Sequence, residues 1–184
     1  MSNIGFDPKG FYEFDLARGA VSTRGGARVI VLSDTVVASL VSAAVETGDL
    51  TVLRELGKQI GAQVVASLGG AVFDDSPEQV LAHTAGWLGT LGWGRLGFER
   101  WGQALVAVMD GVPALDEDSL GIAALLGGVI SSLSKLEVAC VPVGGKFLVC
   151  NPAIAESVWL WANDGAELGT IVDQLILAEA SCAP

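Results

Sequence analysis

The chain has 184 residues, 51% of them hydrophobic and only 17% charged, with a formal net charge of −11. Those proportions exclude a disordered chain and describe one globular domain with a large core, or one domain with an appendage. The acidic balance, with ten unclustered Lys and Arg, argues against a nucleic-acid partner or an anionic membrane surface, because either would be repelled.

In chain order, the start (MSNIGFDPKGFYEFD) is polar and mixed in charge, which is not the pattern of a targeting signal. Aromatics at Phe6, Phe11, Tyr12 and Phe14 lead to a turn at Arg18-Gly19. An edge strand from Ala20 runs to Gly25-Gly26, and Arg28 to Leu32 reads as a short buried strand. Ser33 or Asp34 caps a helix to about Thr47, with Val36, Val37, Leu40, Val41, Ala44 and Val45 as its apolar stripe. Gly48-Asp49 breaks it. A second helix follows from Leu50 to Leu68, with Leu53, Leu56, Ile60, Val64 and Leu68 inward, and Gly57 and Gly61 spaced to let another element approach closely. Residues 69–75 read as a loop. Ser76 caps a third helix, with Pro77 in its first turn and Val80, Thr84, Trp87, Leu88 and Leu91 on one face. Gly92 stops it, and two β-type runs flank a turn at Trp101-Gly102. Asp110 to Asp118 is an acidic connection that lacks the spacing of a calcium loop. Ser119 to Ser134 is a smooth apolar helix. The longest apolar run, Ile122 to Leu133, is too short to span a bilayer. Two strands then flank Gly144-Gly145. From Asn151-Pro152 onward come two helices with five acids and no Lys or Arg, a composition shift that marks a C-terminal appendage.

Catalytic equipment is sparse. The only histidine is His83, which sits beside an apolar helix face and reads as structural. Neither a nucleophile elbow, nor a dinucleotide fingerprint, nor a phosphate loop is present. Cys140 and Cys150 supply at best half a zinc site. Buried thiols in a reducing, cytoplasmic setting are the favoured reading. The chain is therefore expected not to be an enzyme and to need no cofactor or metal. Trp87, Leu91, Trp93, Phe98, Leu105, Leu126, Ile130 and Leu133 are candidates to line an apolar ligand pocket between sheet and helices; the plainer reading is an ordinary aromatic core. Apolar excess on the predicted helices favours a homo-oligomer.

The order of these elements resembles a known family. Tyr12-Glu-Phe-Asp, Arg28-Val-Ile-Val-Leu, Leu53-Arg-Glu-Leu-Gly-Lys-Gln-Ile-Gly, Leu91-Gly-Trp-Gly-Arg, Leu125-Leu-Gly-Gly-Val-Ile and Cys140-Val-Pro-Val-Gly-Gly are together similar to the 4-vinyl reductase domain, related in fold to the Bet3-like subunits of TRAPP tethering complexes. The likeness covers roughly residues 10–150. It implies an α/β (α+β) fold, an antiparallel sheet against a layer of four main helices, often dimeric, with an apolar cavity for a small hydrophobic ligand or acyl chain. It also implies a sensor, adaptor or assembly role. Two departures stand out: Cys150 comes late for the family's closing motif, and no cysteine lies in the first two helices to match the TRAPP acylation site. A narrower likeness, residues 50–113, is to the D-type accessory protein of bacterial cellulose synthase, which implies an oligomeric cytoplasmic scaffold. The division expected is a domain over 1–150 and an acidic helical appendage over 151–184. Trp159, Trp161, Leu168, Ile171 and Leu175 are candidate interface residues: such apolar side chains must pack either on the chain's own sheet or on another subunit or partner.

Overall fold

The computed structural model describes residues 9–69 and 76–182, with side chains to residue 176. Phe6, most of the loop expected at 69–75, and the thiol of Cys182 lie outside the described residues. Within them the fold is α+β, with two antiparallel sheets and six helices.

The first sheet has the order β1 (Tyr12–Asp15), β2 (Ala20–Thr23), β3 (Arg28–Val29). Its register puts Phe14 opposite Val21 and Val21 opposite Val29, while Glu13, Ser22 and Arg28 line up on the other face. Strand alternation thus gives this small sheet one apolar and one polar face. It is docked on the main body by Phe11, whose ring meets Trp87 edge-on at 5.0 Å, and by the Tyr12 hydroxyl, which donates to the Thr90 carbonyl at 3.1 Å.

Three helices follow: α1 (Asp34–Thr47), α2 (Thr51–Ser67) and α3 (Pro77–Thr90). The last begins as the sequence predicts, with the Ser76 side chain accepting from the Gln79 amide at 3.3 Å. It ends in a left-handed Gly92 (φ 86°): the Trp93 amide reaches back to the Leu88 carbonyl at 3.0 Å and the Gly92 amide to Gly89 at 3.2 Å. This paired closure satisfies two end carbonyls and turns the chain into the hairpin of β4 (Arg95–Trp101) and β5 (Ala104–Asp110). Helix α4 (Leu120–Ser134) crosses α2 at very short range. A Cβ on Gly57 would strike the Leu125 carbonyl oxygen, and one on Gly128 would strike the Arg54 carbonyl; one on Gly61 would lie 2.6 Å from the Ser132 Cβ. Glycine on both helices is what lets the two backbones meet.

The second sheet has the order β4-β5-β7-β6, with β6 (Ala139–Val143) and β7 (Lys146–Cys150) as its second hairpin. Both of its faces are covered. Ala107, Cys140 and Phe147 point into a core shared with α1–α4 and Phe11. Val106, Val141, Val143, Leu148 and Cys150 point the opposite way, into a second core closed by α5 (Pro152–Asn163) and α6 (Leu168–Cys182). This explains why the strand sequences read as continuous apolar runs rather than as alternating ones. The segment expected as an appendage therefore packs over the sheet of its own chain. Val158 and Ile171 are fully buried there, each worth ~1.5–3 kcal/mol of transfer free energy.

Two sequence expectations are corrected. A single sheet becomes two. The run Arg28 to Leu32, expected as a buried strand, is strand only at Arg28–Val29, and Ile30, Val31 and Leu32 are 83%, 71% and 52% exposed. Periodicity reports that a run is apolar and extended; it does not report whether a second layer exists to cover it.

Candidate functional site

The candidate pocket residues do come together, as packed core. Trp87 (α3), Leu126, Ile130 and Leu133 (α4) are buried, and Leu91, Trp93 and Phe98 pack half-buried against them. Leu105 is half-buried and, two residues from Ala107 on β5, shares its face of the sheet. The Trp101 ring turns to the other side: its indole N–H donates to Glu99 at 2.8 Å, and the Lys146 ammonium lies 5.1 Å over the ring.

The candidate interface residues behave similarly. Leu168 and Ile171 are buried in the second core, and Trp159, Trp161 and Leu175 pack half-buried against it. Of the two places open to these anchors, the chain's own sheet or another subunit, Leu168 and Ile171 take the first, because the faces of β5, β6 and β7 turned away from α4 need cover.

His83, Arg54, Lys58 and Glu137 are engaged in contacts between elements. His83 Nε2 lies 2.9 Å from Ser67 Oγ, and that hydroxyl donates to the Val64 carbonyl at 2.7 Å. The hydroxyl thus has two partners, the Val64 carbonyl on its own helix and the imidazole on α3, and the contact ties the end of α2 to α3. Burial holds the imidazole pKa below its usual value. Arg54 donates to Glu137 at 2.6 Å, to the Val138 carbonyl at 2.7 Å and to Ser131 at 3.2 Å, and Lys58 reaches the same Glu137 at 2.7 Å. These bonds pin α2 to the α4–β6 connection, and Lys58 foremost, with Arg54, holds the Glu137 carboxyl below the usual range.

The two thiols lie on opposite faces of one sheet. Cys140 stands across from Val149, and Cys150 from Ala139, so one points into each core and no disulfide joins them. Burial pushes Cys140 up to about 12 and Cys150 up to about 11, so neither is a thiolate at neutral pH. Among the described residues no group of three or more His, Cys, Asp or Glu is placed to hold a metal. No described helix is long and apolar enough to cross a membrane.

A cleft of about 330 Å³ opens between the α1–α2 turn, α4 and β6, lined by Gly48, Asp49, Leu50, Thr51, Arg54, Leu120, Ala123, Ala124, Ala139 and Cys140. None of the eight candidate pocket residues lines it. Its cation, Arg54, is bound to Glu137, its thiol is protonated, and its carboxylate, Asp49, accepts from the Thr51 amide at 3.0 Å; Leu50, Leu120 and three alanines supply apolar wall.

The most distinctive surface is one that sequence reasoning placed inside. Of the twelve large apolar side chains exposed among the described residues, nine fall between Phe14 and Leu56. On α1, Val41 is buried and Val37, Ala44 and Val45 are half-buried, but Val36 and Leu40 are 47% and 61% exposed. The apolar stripe of α1 is wider than the face that α4 covers. Ile30, Val31 and Leu32 lie just before this helix, separated from Val36 by the exposed polar residues Ser33, Asp34 and Thr35. The available signal was the unusual width of the α1 stripe, six apolar positions in ten residues.

Set beside known proteins, the chain matches no family model, no curated protein and no solved structure.

Proposed function

We propose that the chain is a non-enzymatic assembly module, a cytoplasmic adaptor or scaffold that works as a homo-oligomer. The observation carrying this reading is the group of exposed large apolar side chains Ile30, Val31, Leu32, Val36 and Leu40, on a molecule with two well-packed cores. Large apolar side chains exposed side by side cost solubility unless a partner covers them. The titratable clusters support the same reading, since each is committed to holding elements together. It is also the role implied by the resemblance to 4-vinyl reductase-like domains and to the D-type accessory protein of cellulose synthase.

Light scattering on the purified full chain is the test. A mass at or above twice 18.9 kDa at micromolar concentration is the expected result, and a single species of 18.9 kDa overturns the reading. A second reading, a binder of a small apolar ligand, is favoured by the cleft beside Cys140, whose volume of about 330 Å³ is at the lower end for ligand sites. Native mass spectrometry separates the two: a co-purifying small molecule, removed by denaturation, belongs to the binder alone.

A further inference from the structure

Four strand edges end the two sheets, and three of them are protected. β1 carries Glu13 and Asp15, β4 carries Arg95, Glu99 and Arg100, and β6 carries Pro142. Charge and proline on an edge are the usual devices against pairing with another chain. The β3 edge differs. Beyond Arg28 its extension is Val29-Ile30-Val31-Leu32, four apolar residues without charge or proline. β2 pairs with only Arg28 and Val29, and Ile30, Val31 and Leu32 are exposed on both faces.

We propose that this segment is a self-pairing edge: Arg28 to Leu32 joins its counterpart in a second copy of the chain, antiparallel, about a two-fold axis at Ile30. The inference rests on the assembly reading above and names its partner and its geometry. Antiparallel pairing of a strand with itself is self-complementary, as a two-fold interface requires. Centring on Ile30 pairs all five residues, with Ile30 facing Ile30, Val29 facing Val31 and Arg28 facing Leu32. The two Arg28 side chains are then about 13 Å apart along the strands, beyond a Debye length at physiological salt.

Faces agree as well as edges. Phe14, Val21 and Val29 form a cross-strand row on the apolar face of the small sheet. Val31 is on the same face by alternation, so the pairing extends each row to the Val31 of the second copy and makes one six-stranded sheet. Local charge permits it. Residues 9–32 carry four basic and two acidic side chains (Lys9, Arg18, Arg24 and Arg28 against Glu13 and Asp15), a balance of +2 within a chain of −11. Two copies therefore meet at their least acidic part. The pairing brings together Ile30, Val31 and Leu32, which are 83%, 71% and 52% exposed in a single chain, so the segment gains both backbone hydrogen bonds and apolar contact.

The experiment compares the full chain with Val31→Lys and Ile30→Cys, using light scattering, far-UV circular dichroism and mild oxidation. The expected result is a dimer of the unsubstituted chain. Val31→Lys should be a monomer with an unchanged spectrum and a dissociation constant raised at least tenfold. Ile30→Cys should cross-link to itself well beyond the unsubstituted chain. A Val31→Lys chain that stays as dimeric as the parent overturns this inference and leaves the assembly reading standing. A dimer lost on Val31→Lys while Ile30→Cys fails to cross-link overturns the self-pairing, because the segment then meets another part of the second copy. A monomeric parent overturns the assembly reading and this inference with it.

Discussion

Gly57 shows how tightly single residues are held. Its missing side chain is occupied by the Leu125 backbone of α4, which has no rotamer to escape into. Gly57→Ala is expected to cost ~3 kcal/mol or more, because separating two packed helices is overpacking of the severe kind. Urea denaturation would measure it, with Gly19→Ala, a left-handed glycine with open space around it, as a milder comparison. The two thiols give a second expectation. Held protonated by burial, Cys140 and Cys150 should resist iodoacetamide in the native chain and react after unfolding, as peptide mapping would show. Glu137 gives a third. Its folded pKa is depressed, first by the bond from Lys58 and then by that from Arg54, so its stabilisation is present above the unfolded carboxylate value of ~4.3 and is lost as pH falls through the folded value. Between about pH 6 and about pH 3 the urea midpoint of the parent should therefore fall more than that of Glu137→Gln.

Elements are held by their ends as much as by their faces. Helix α4 starts from Ser119 and stops at Lys135, both left-handed at φ 57° and neither a glycine. A left-handed side-chain residue is ~1–2 kcal/mol worse than glycine, so Lys135→Gly is expected to raise stability by up to about 1 kcal/mol, readable as a rise in the urea midpoint. The pair α5 and α6 carries a larger expectation. Truncation after Cys150 would strip the cover from Val106, Val141, Val143 and Leu148 at once. The shortened chain should aggregate or bind a hydrophobic dye rather than fold as a free domain. A soluble, cooperatively melting fragment 1–150 would show that the second core is dispensable.

At the scale of the molecule, the arrangement is a sheet buried on both faces with a smaller, half-naked sheet and α1 set beside it. The consequence is that most exposed large apolar groups among the described residues fall in the first third of the chain. Dilution of the parent should dissociate it in a way that depends on total concentration, followed by light scattering, and Leu40→Lys should shift that transition to higher concentration. The same substitution is expected to leave the melting temperature of the monomer nearly unchanged, because Leu40 is largely exposed in a single chain.

How much of this was legible follows from the range of each interaction. Helix positions, the Ser76 cap, the Gly92 stop and the Asn151-Pro152 start were readable because they depend on residues within a few positions of one another. The strands of the second sheet were readable as apolar runs, and the helix-to-hairpin unit from Ser76 to Met109 emerged as read. Which neighbour covers each apolar face was decided only in three dimensions. Trp159, Leu168 and Ile171 look the same in sequence whether they meet a partner or their own sheet. Ile30, Val31 and Leu32 look the same whether a second layer exists or not. Apolar pattern is a local property of the chain, while burial depends on what long-range packing brings opposite; here that packing closed the C-terminal helices onto the sheet and left Ile30, Val31, Leu32, Val36 and Leu40 exposed.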